Sequence, residues 1–285
     1  MNYKITSLEG SGKDIIRRVM LASESQLLIP PKLEGLDVTI PDPPRDGKYI
    51  GLFSSGTTSN PKCIWNRFDR LELNAQRSAR AFEIESDDSL LMMALPWHVA
   101  GFSWMLTAEQ LGSDFFFVTT QKGGEGSWIK ALRDVQPDYL LTVPAVLRAL
   151  YDEDWFVPNV VYGGYPIKFE EYKRLSPHCS FMHQGYGQTE AGGLISSYKR
   201  KSTLLPSGME NFCNGKAIEG VEMTCIGSRE KPEPILITSE TAYTQNIYNS
   251  GDVGFKDEEG NIYVVGRTND LPGGREAGRK ELLGN

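Results

Sequence analysis

A chain of 285 residues can form one large domain or two modest ones around a sizeable core. Hydrophobic residues at 40% and charged residues at 24% are ordinary globular usage, which excludes disordered and fibrous classes. Thirty basic and 37 acidic side chains leave a net charge of −7. With no basic excess to neutralise a phosphate backbone, no nucleic-acid partner is expected, although a small phosphorylated ligand needs only local donors.

In chain order, Ile15, Ile16, Val19 and Met20 predict a short amphipathic helix over 13–22. Pro30, Pro31, Pro41, Pro43 and Pro44 follow, and repeated proline predicts an extended connector. From residue 49 strand and helix signals alternate. A strand is predicted at 49–53, then a Gly/Ser/Thr loop. A helix at 66–82 carries Phe68, Leu71, Ala75, Ala79 and Phe82 at steps of three and four.

Residues 89–108 carry no Asp, Glu, Lys or Arg and are long enough to span a bilayer. Pro96, His98, Gly101 and Ser103 interrupt that stretch, so a buried strand at 90–95 and a helix at 100–111 are predicted instead, with no membrane span. A strand at 115–119, a helix capped by Ser127 and running to 135, a strand at 139–143 and a helix opened by Pro144 come next. Segments 159–162, 169–175 and 180–183 continue the alternation, which predicts parallel strands with helices on both faces. After about residue 194 the helix signal fades. Strands are predicted at 221–226 and 235–238, and a hairpin at 253–265 turns through Asp257-Glu258-Glu259-Gly260.

The fold class read from this order is α/β: a parallel sheet flanked by helices, followed by a β-rich subdomain. Four parts are expected: helix and connector at 1–48, α/β core at 49–193, β-rich part at 194–270, and a flexible tail at 271–285. Cysteines at 63, 179, 213 and 225 form no CxxC pair and have only three histidines for company. Reduced thiols and a cytoplasmic setting are therefore expected. The N-terminus lacks the apolar stretch of a signal peptide.

Five loops carry candidate chemistry. Ser54-Ser55-Gly56-Thr57-Thr58-Ser59-Asn60-Pro61-Lys62 offers hydroxyls beside a glycine, a suitable cage for polyphosphate oxygens, though not at Walker spacing. Pro96-Trp97-His98-Val99-Ala100-Gly101 places a histidine at a strand end, where parallel sheets hold ligands. Gly163-Gly164-Tyr165-Pro166 lets a flat ring approach the backbone, with Tyr165 able to cover it. Tyr186-Gly187-Gln188-Thr189-Glu190 supplies a hard oxygen ligand suited to Mg²⁺ in Glu190, and Thr189 for a phosphate. Ser250-Gly251-Asp252 and Gly266-Arg267 offer a carboxylate for ribose hydroxyls and a guanidinium for phosphate or ribose oxygens. Singly, each has a plain alternative: a surface turn, a core histidine, a turn before a helix, a surface ion pair.

Together and in this order, these motifs resemble the acyl-adenylate-forming superfamily of acyl- and aryl-CoA synthetases, luciferases and peptide-synthetase adenylation domains, over about residues 49–270. The PWHVAG element is more like acyl- or aryl-CoA ligases than amino-acid-activating domains. The compact chain and GGYP turn are most similar to o-succinylbenzoate–CoA ligases.

The resemblance implies the N-terminal large domain of that fold. It also implies ATP-dependent activation of a small-molecule carboxylic acid to an acyl-AMP with pyrophosphate release. ATP and Mg²⁺ would be required, and CoA or a carrier protein would be the thiol acceptor. By it, Ser54, Ser55, Gly56, Thr57, Thr58 and Lys62 surround the β- and γ-phosphates. Gly163, Gly164, Tyr165 and Pro166 frame the adenine, with Tyr186 and Gly187 opposite. Thr189 touches the α-phosphate and Glu190 binds Mg²⁺. Asp252 holds the ribose, Arg267 assists, and His98 gates the acyl pocket, for which Trp97, Phe102, Trp104 and Met105 are the apolar candidates.

The chain departs from the family at both ends. Members carry a longer segment before the phosphate loop, and after the GR motif a C-terminal domain of roughly one hundred residues that supplies a catalytic lysine. Here fifteen residues follow Asp270, with Lys280 the only lysine among them. The C-terminal domain is thus expected to be missing. A core completed by a partner chain stays open, as does a truncated or degenerate member that binds nucleotide or acyl-AMP without efficient catalysis.

Overall fold

The computed structural model describes residues 2–33, 40–54, 62–119, 124–206, 212–244 and 246–268. Three sheets organise them. The first has the order β1-β2-β3-β4, from Tyr3–Ile5, Ser25–Leu27, Tyr49–Phe53 and Cys63–Arg67. Its first three strands are parallel and β4 returns antiparallel to β3. Helix α1, Gly12–Leu21, connects β1 to β2 and begins at a capping box between Ser11 and Asp14. Its Ile15, Ile16 and Val19 are buried.

β4 replaces the start of the helix predicted at 66–82. β4 pairs antiparallel with β3 through Arg67, so α2 begins at Phe68 and runs to Phe82. The strands of the first sheet before residue 49 are three residues long, too short for alternation to be read.

The central sheet has seven strands. β5 (Ser89–Ala94), β6 (Asp114–Thr119), β7 (Tyr139–Thr142), β8 (Val157–Gly163) and β9 (Cys179–Gln188) are parallel. β10 (Gly193–Lys201) and β11 (Lys216–Ala217) add antiparallel strands, in the order β11-β10-β9-β8-β7-β5-β6. Residues 194–201 therefore lie in the central sheet, where the β-rich part was expected to begin. Helices α3 (Val99–Leu111), α4 (Gly124–Val135), α5 (Pro144–Ala149) and α6 (Phe169–Leu175) link the parallel strands. α4 starts at Gly124, so Ser127 lies inside the helix rather than at its cap.

Alternation along the strands separates two cores. Leu90, Met92 and Ala94 of β5, with Tyr139, Leu141 and Val161, face α1, α2 and α3. Leu91 and Met93, with Leu140, Val160 and Met182, face α4, α5 and α6. Both sheet faces are thus covered, as parallel strands require. The uncharged stretch at 89–108 is β5 and most of α3, which is buried nearly all round. No helix among the described residues is long and apolar enough to cross a membrane.

The third sheet is antiparallel: β12 (Val221–Thr224), β13 (Glu233–Ser239), β14 (Tyr248–Lys256) and β15 (Ile262–Arg267) in chain order. The expected hairpin joins β14 to β15, its turn closed by Gly260 N–H donating to the Asp257 carbonyl at 3.1 Å. Met223, Ile235, Ile237 and Ile262 pack there against Ala191 and Ile195.

Candidate active site

The chain leaves β5 for β6 on one side and reaches β7 on the other, so connections diverge at the C-terminal ends of β5 and β7. Such a divergence opens a crevice in a parallel sheet. His98 stands there as the N-cap of α3. Its N–H donates to the Leu95 carbonyl at 3.0 Å and its carbonyl accepts the Phe102 N–H at 2.9 Å. A Cβ on Gly101 would come within 2.2 Å of the Leu95 carbonyl oxygen, which explains the glycine in PWHVAG. Burial holds the His98 pKa below the ordinary imidazole value, so the ring is neutral near pH 7. Trp97, Phe102, Trp104 and Met105, the apolar candidates beside it, belong to the core between sheet and helices.

Gly163 ends β8 and pairs with Gly185 of β9, which sets the GGYP turn beside Tyr186. Tyr165 is 70% exposed, its ring open to solvent. Gly164 is exposed and Pro166 half-buried, while Ile167 anchors the turn in the core.

Tyr186, Asp252 and Arg267 converge, although 81 residues of chain separate the first from the last. Asp252 and Arg267 are cross-strand partners in the β14–β15 register, and Nη1 of Arg267 donates to Asp252 Oδ1 at 2.7 Å. Tyr186 Oη donates to Asp252 Oδ2 at 2.6 Å. Gln188 Nε2 lies 2.7 Å from the same oxygen, 2.9 Å from the Ser250 carbonyl and 3.3 Å from Tyr186 Oη. Beneath them Ser250 Oγ accepts the Asp252 N–H at 3.1 Å and donates to the Ile235 carbonyl at 2.8 Å.

Burial first, then the charge and hydrogen bond of Asp252, hold the Tyr186 hydroxyl well above the usual phenol range. Burial alone would lower the Arg267 pKa, but Asp252, with smaller help from Tyr186 and Glu190, raises it. The cluster is therefore a carboxylate fixed by three donors. Oδ2 takes two of them and Oδ1 one, so Oδ1 is the better placed to accept from a ligand hydroxyl.

Thr189 and Glu190 form a short turn between β9 and β10, with Thr189 buried and Glu190 half-buried. No side chain among the described residues donates to the Glu190 carboxylate, while its backbone carbonyl accepts the Tyr243 N–H at 2.9 Å. β4, the strand that follows the Ser/Thr/Gly loop, packs against this turn. At the base of that loop Ser54 N–H donates to the Lys62 carbonyl at 3.0 Å, and the Lys62 side chain is exposed. Ser55, Gly56, Thr57 and Thr58 lie outside the described residues.

The structure thus joins three of the five motifs by contact or pairing, β4 leads from a fourth to the Thr189–Glu190 turn, and His98 stands along the same strand ends. Gln188 had no role assigned from sequence; its place inside the YGQTE motif was the available signal. Ser250, likewise inside a motif, acts from below. Among the described residues no group of three or more His, Cys, Asp or Glu side chains could hold a metal by itself.

Residues 9–234 match the profile of AMP-binding enzymes. The chain belongs to the AMP-binding enzyme family. Among its relatives, a 2-succinylbenzoate–CoA ligase from Oceanobacillus iheyensis is 22% identical over 253 residues, which cover 79% of this chain and 51% of that protein. The chain spans about half the length of that relative. O-succinylbenzoate coenzyme A synthetase from Bacillus subtilis, in complex with ATP and magnesium ion, superposes with a TM-score of 0.67 at 20% identity, covering 78% of this chain and 50% of that one. A malonyl-CoA ligase with methylmalonyl-CoA and AMP bound reaches a TM-score of 0.72 at 16% identity, covering 93% and 72%. These likenesses establish the fold as that of the N-terminal domain of such ligases.

Proposed function

We propose that this AMP-binding family member activates a carboxylic acid with ATP, forming an acyl-AMP and releasing pyrophosphate, with CoA as the thiol acceptor in a following step. The observation that carries the reading is the Tyr186–Asp252–Arg267 cluster at the strand ends beside the Thr189–Glu190 turn. In it a fixed carboxylate oxygen suits ribose hydroxyls. No side chain among the described residues donates to the half-buried carboxylate of Glu190, and its turn packs against β4, the strand that follows a hydroxyl-rich loop.

In the proposed reaction the acid's carboxylate oxygen attacks the α-phosphorus, and the bond to the bridging oxygen breaks, its electron pair leaving with pyrophosphate. One anion attacks another, so the site must neutralise charge and align the partners rather than supply a covalent nucleophile. Asp252 and Arg267 would hold the ribose. Gly163, Gly164, Tyr165, Pro166 and Gly187 would frame the base, and Tyr186 would support the Asp252 carboxylate. Thr189 would donate to the α-phosphate, and the loop from Ser54 to Lys62 to the β- and γ-phosphates. Neutral His98 would stand at the acid's end of the crevice. One carboxylate is a suitable donor set for Mg²⁺, which keeps waters and takes its other ligands from phosphate. Glu190 would hold it, and the ion would supply neutralisation of the polyphosphate charge. Four free thiols accord with a reducing, cytoplasmic setting.

Thermal unfolding with Mg²⁺-ATP and with AMP tests the reading. A ligand at about 100 times its Kd adds about 2.7 kcal/mol of stability, so a clear upward shift in Tm is expected with both. No shift with either overturns the nucleotide site. Shifts without pyrophosphate release in a panel of carboxylic acids would leave a nucleotide-binding member without efficient catalysis.

A further inference from the structure

Asn74, in the middle of α2, is fully buried. A buried amide must find partners for both its oxygen and its nitrogen. Oδ1 accepts the Leu194 N–H at 3.0 Å, and Nδ2 donates to the Leu194 carbonyl at 2.9 Å. One side chain thus takes both backbone groups of Leu194, where the β9–β10 register shifts between Leu194 and Ser196. Nδ2 also lies 3.3 Å from Thr241 Oγ1, and that hydroxyl donates to the Ala191 carbonyl at 2.9 Å. With the Tyr243 N–H on the Glu190 carbonyl, the turn is held at Glu190, Ala191 and Leu194. Space is equally constrained. A Cβ on Gly193 would lie 2.4 Å from Asn74 Oδ1 and 3.0 Å from Ser103 Oγ of α3.

We infer that Asn74 is the positioning residue for Glu190. Through Leu194 directly, and through Thr241 to Ala191, it fixes the turn that presents the carboxylate to a metal-bound polyphosphate. The inference rests on the nucleotide reading above and adds a residue outside every motif. Its physical content is that Asn74 acts on the metal-dependent part of ATP binding and not on the adenosine part, which β8, β9 and β14 hold.

Titration calorimetry on the full chain separates the two parts: ATP in Mg²⁺, ATP in EDTA, and AMP in EDTA, for wild type, Asn74→Asp and Thr241→Val. Asn74→Asp keeps the shape but loses both Nδ2 donations. It should weaken ATP in Mg²⁺ about tenfold and AMP less than about twofold, shrinking the gain that Mg²⁺ confers. Equal losses for every ligand, or no loss at all, overturn the inference while leaving the nucleotide site standing. A wild type that binds neither ATP nor AMP overturns the proposed function and this inference with it. Thr241→Val retains the Asn74–Leu194 pair and decides the matter by the same ratio if Asn74→Asp fails to fold.

Discussion

The central sheet and the third sheet meet at the site but are held by different physics. The central sheet buries apolar side chains on both faces, with Phe102, Leu90, Met92 and Leu140 inaccessible to solvent. The third sheet has a smaller apolar core and leans on polar ties from α2. Arg70 donates to the Ala242 carbonyl at 2.8 Å, Asn74 reaches Thr241, Arg77 donates to Glu240 at 2.6 Å and Arg80 to Glu219 at 2.7 Å. These four positions recur at steps of three and four, one stripe of the helix. A carboxylate and arginine on the third sheet are thus set against Tyr186 and Gln188 on the central sheet by these polar ties together with the apolar cluster of Ile195, Ile235 and Ile237. Rigid scaffolding and ligand-facing polar groups are divided between two regions, and α2 joins them.

Three outcomes would break or sharpen that contrast. Phe102→Ala in the doubly covered region should cost about 3–5 kcal/mol in denaturant unfolding, the range for emptying a packed aromatic site. A cost below about 1 kcal/mol would show that the central core is not the source of stability.

His183 gives the next largest effect. It is buried between Phe82 and Tyr139 and bonded to Asn159 Oδ1 at 3.2 Å. Burial, with Lys199 adding, pushes its pKa down to about 4. The folded state keeps the ring neutral, whereas the unfolded chain binds the proton below about pH 6.5. Stability is therefore fully present above pH 6.5 and lost as pH falls from there towards 4, by up to about 3 kcal/mol. His98, also lowered by burial, adds in the same direction. The share due to His183 is read by subtracting the pH dependence of His183→Gln. Identical profiles would show that the ring titrates normally.

The smallest effect belongs to the outer end of the α2 stripe. Both partners of the Arg80–Glu219 bridge are more than half exposed. Arg80→Ala should change stability by less than about 1 kcal/mol, and less still in high salt. A larger loss would mean that exposed charges, and not the buried Asn74 and Arg77, join the two regions.

Much of the site was legible because each motif is local. Glycines at 101 and 163 announce close backbone approaches through residue type alone, and helical spacing marks α2 and α3. The α/β class follows from the same local periodicities.

What the sequence could not show was pairing. β4 and β10 are antiparallel strands whose partners are set by hairpin geometry, and β4 displaced the start of a helix that periodicity alone would have extended. The Asp252–Arg267 bond depends on the β14–β15 register, and the Tyr186–Asp252 bond on the two sheets meeting. Asn74 reads as one more polar residue on an amphipathic helix. Only burial opposite Leu194, 120 residues away, makes its amide the partner of another strand's backbone. Residue type and period are properties of neighbours along the chain, and a local window suffices to read them. Hydrogen-bond partners across sheets are chosen by packing, so only the tertiary structure decides them.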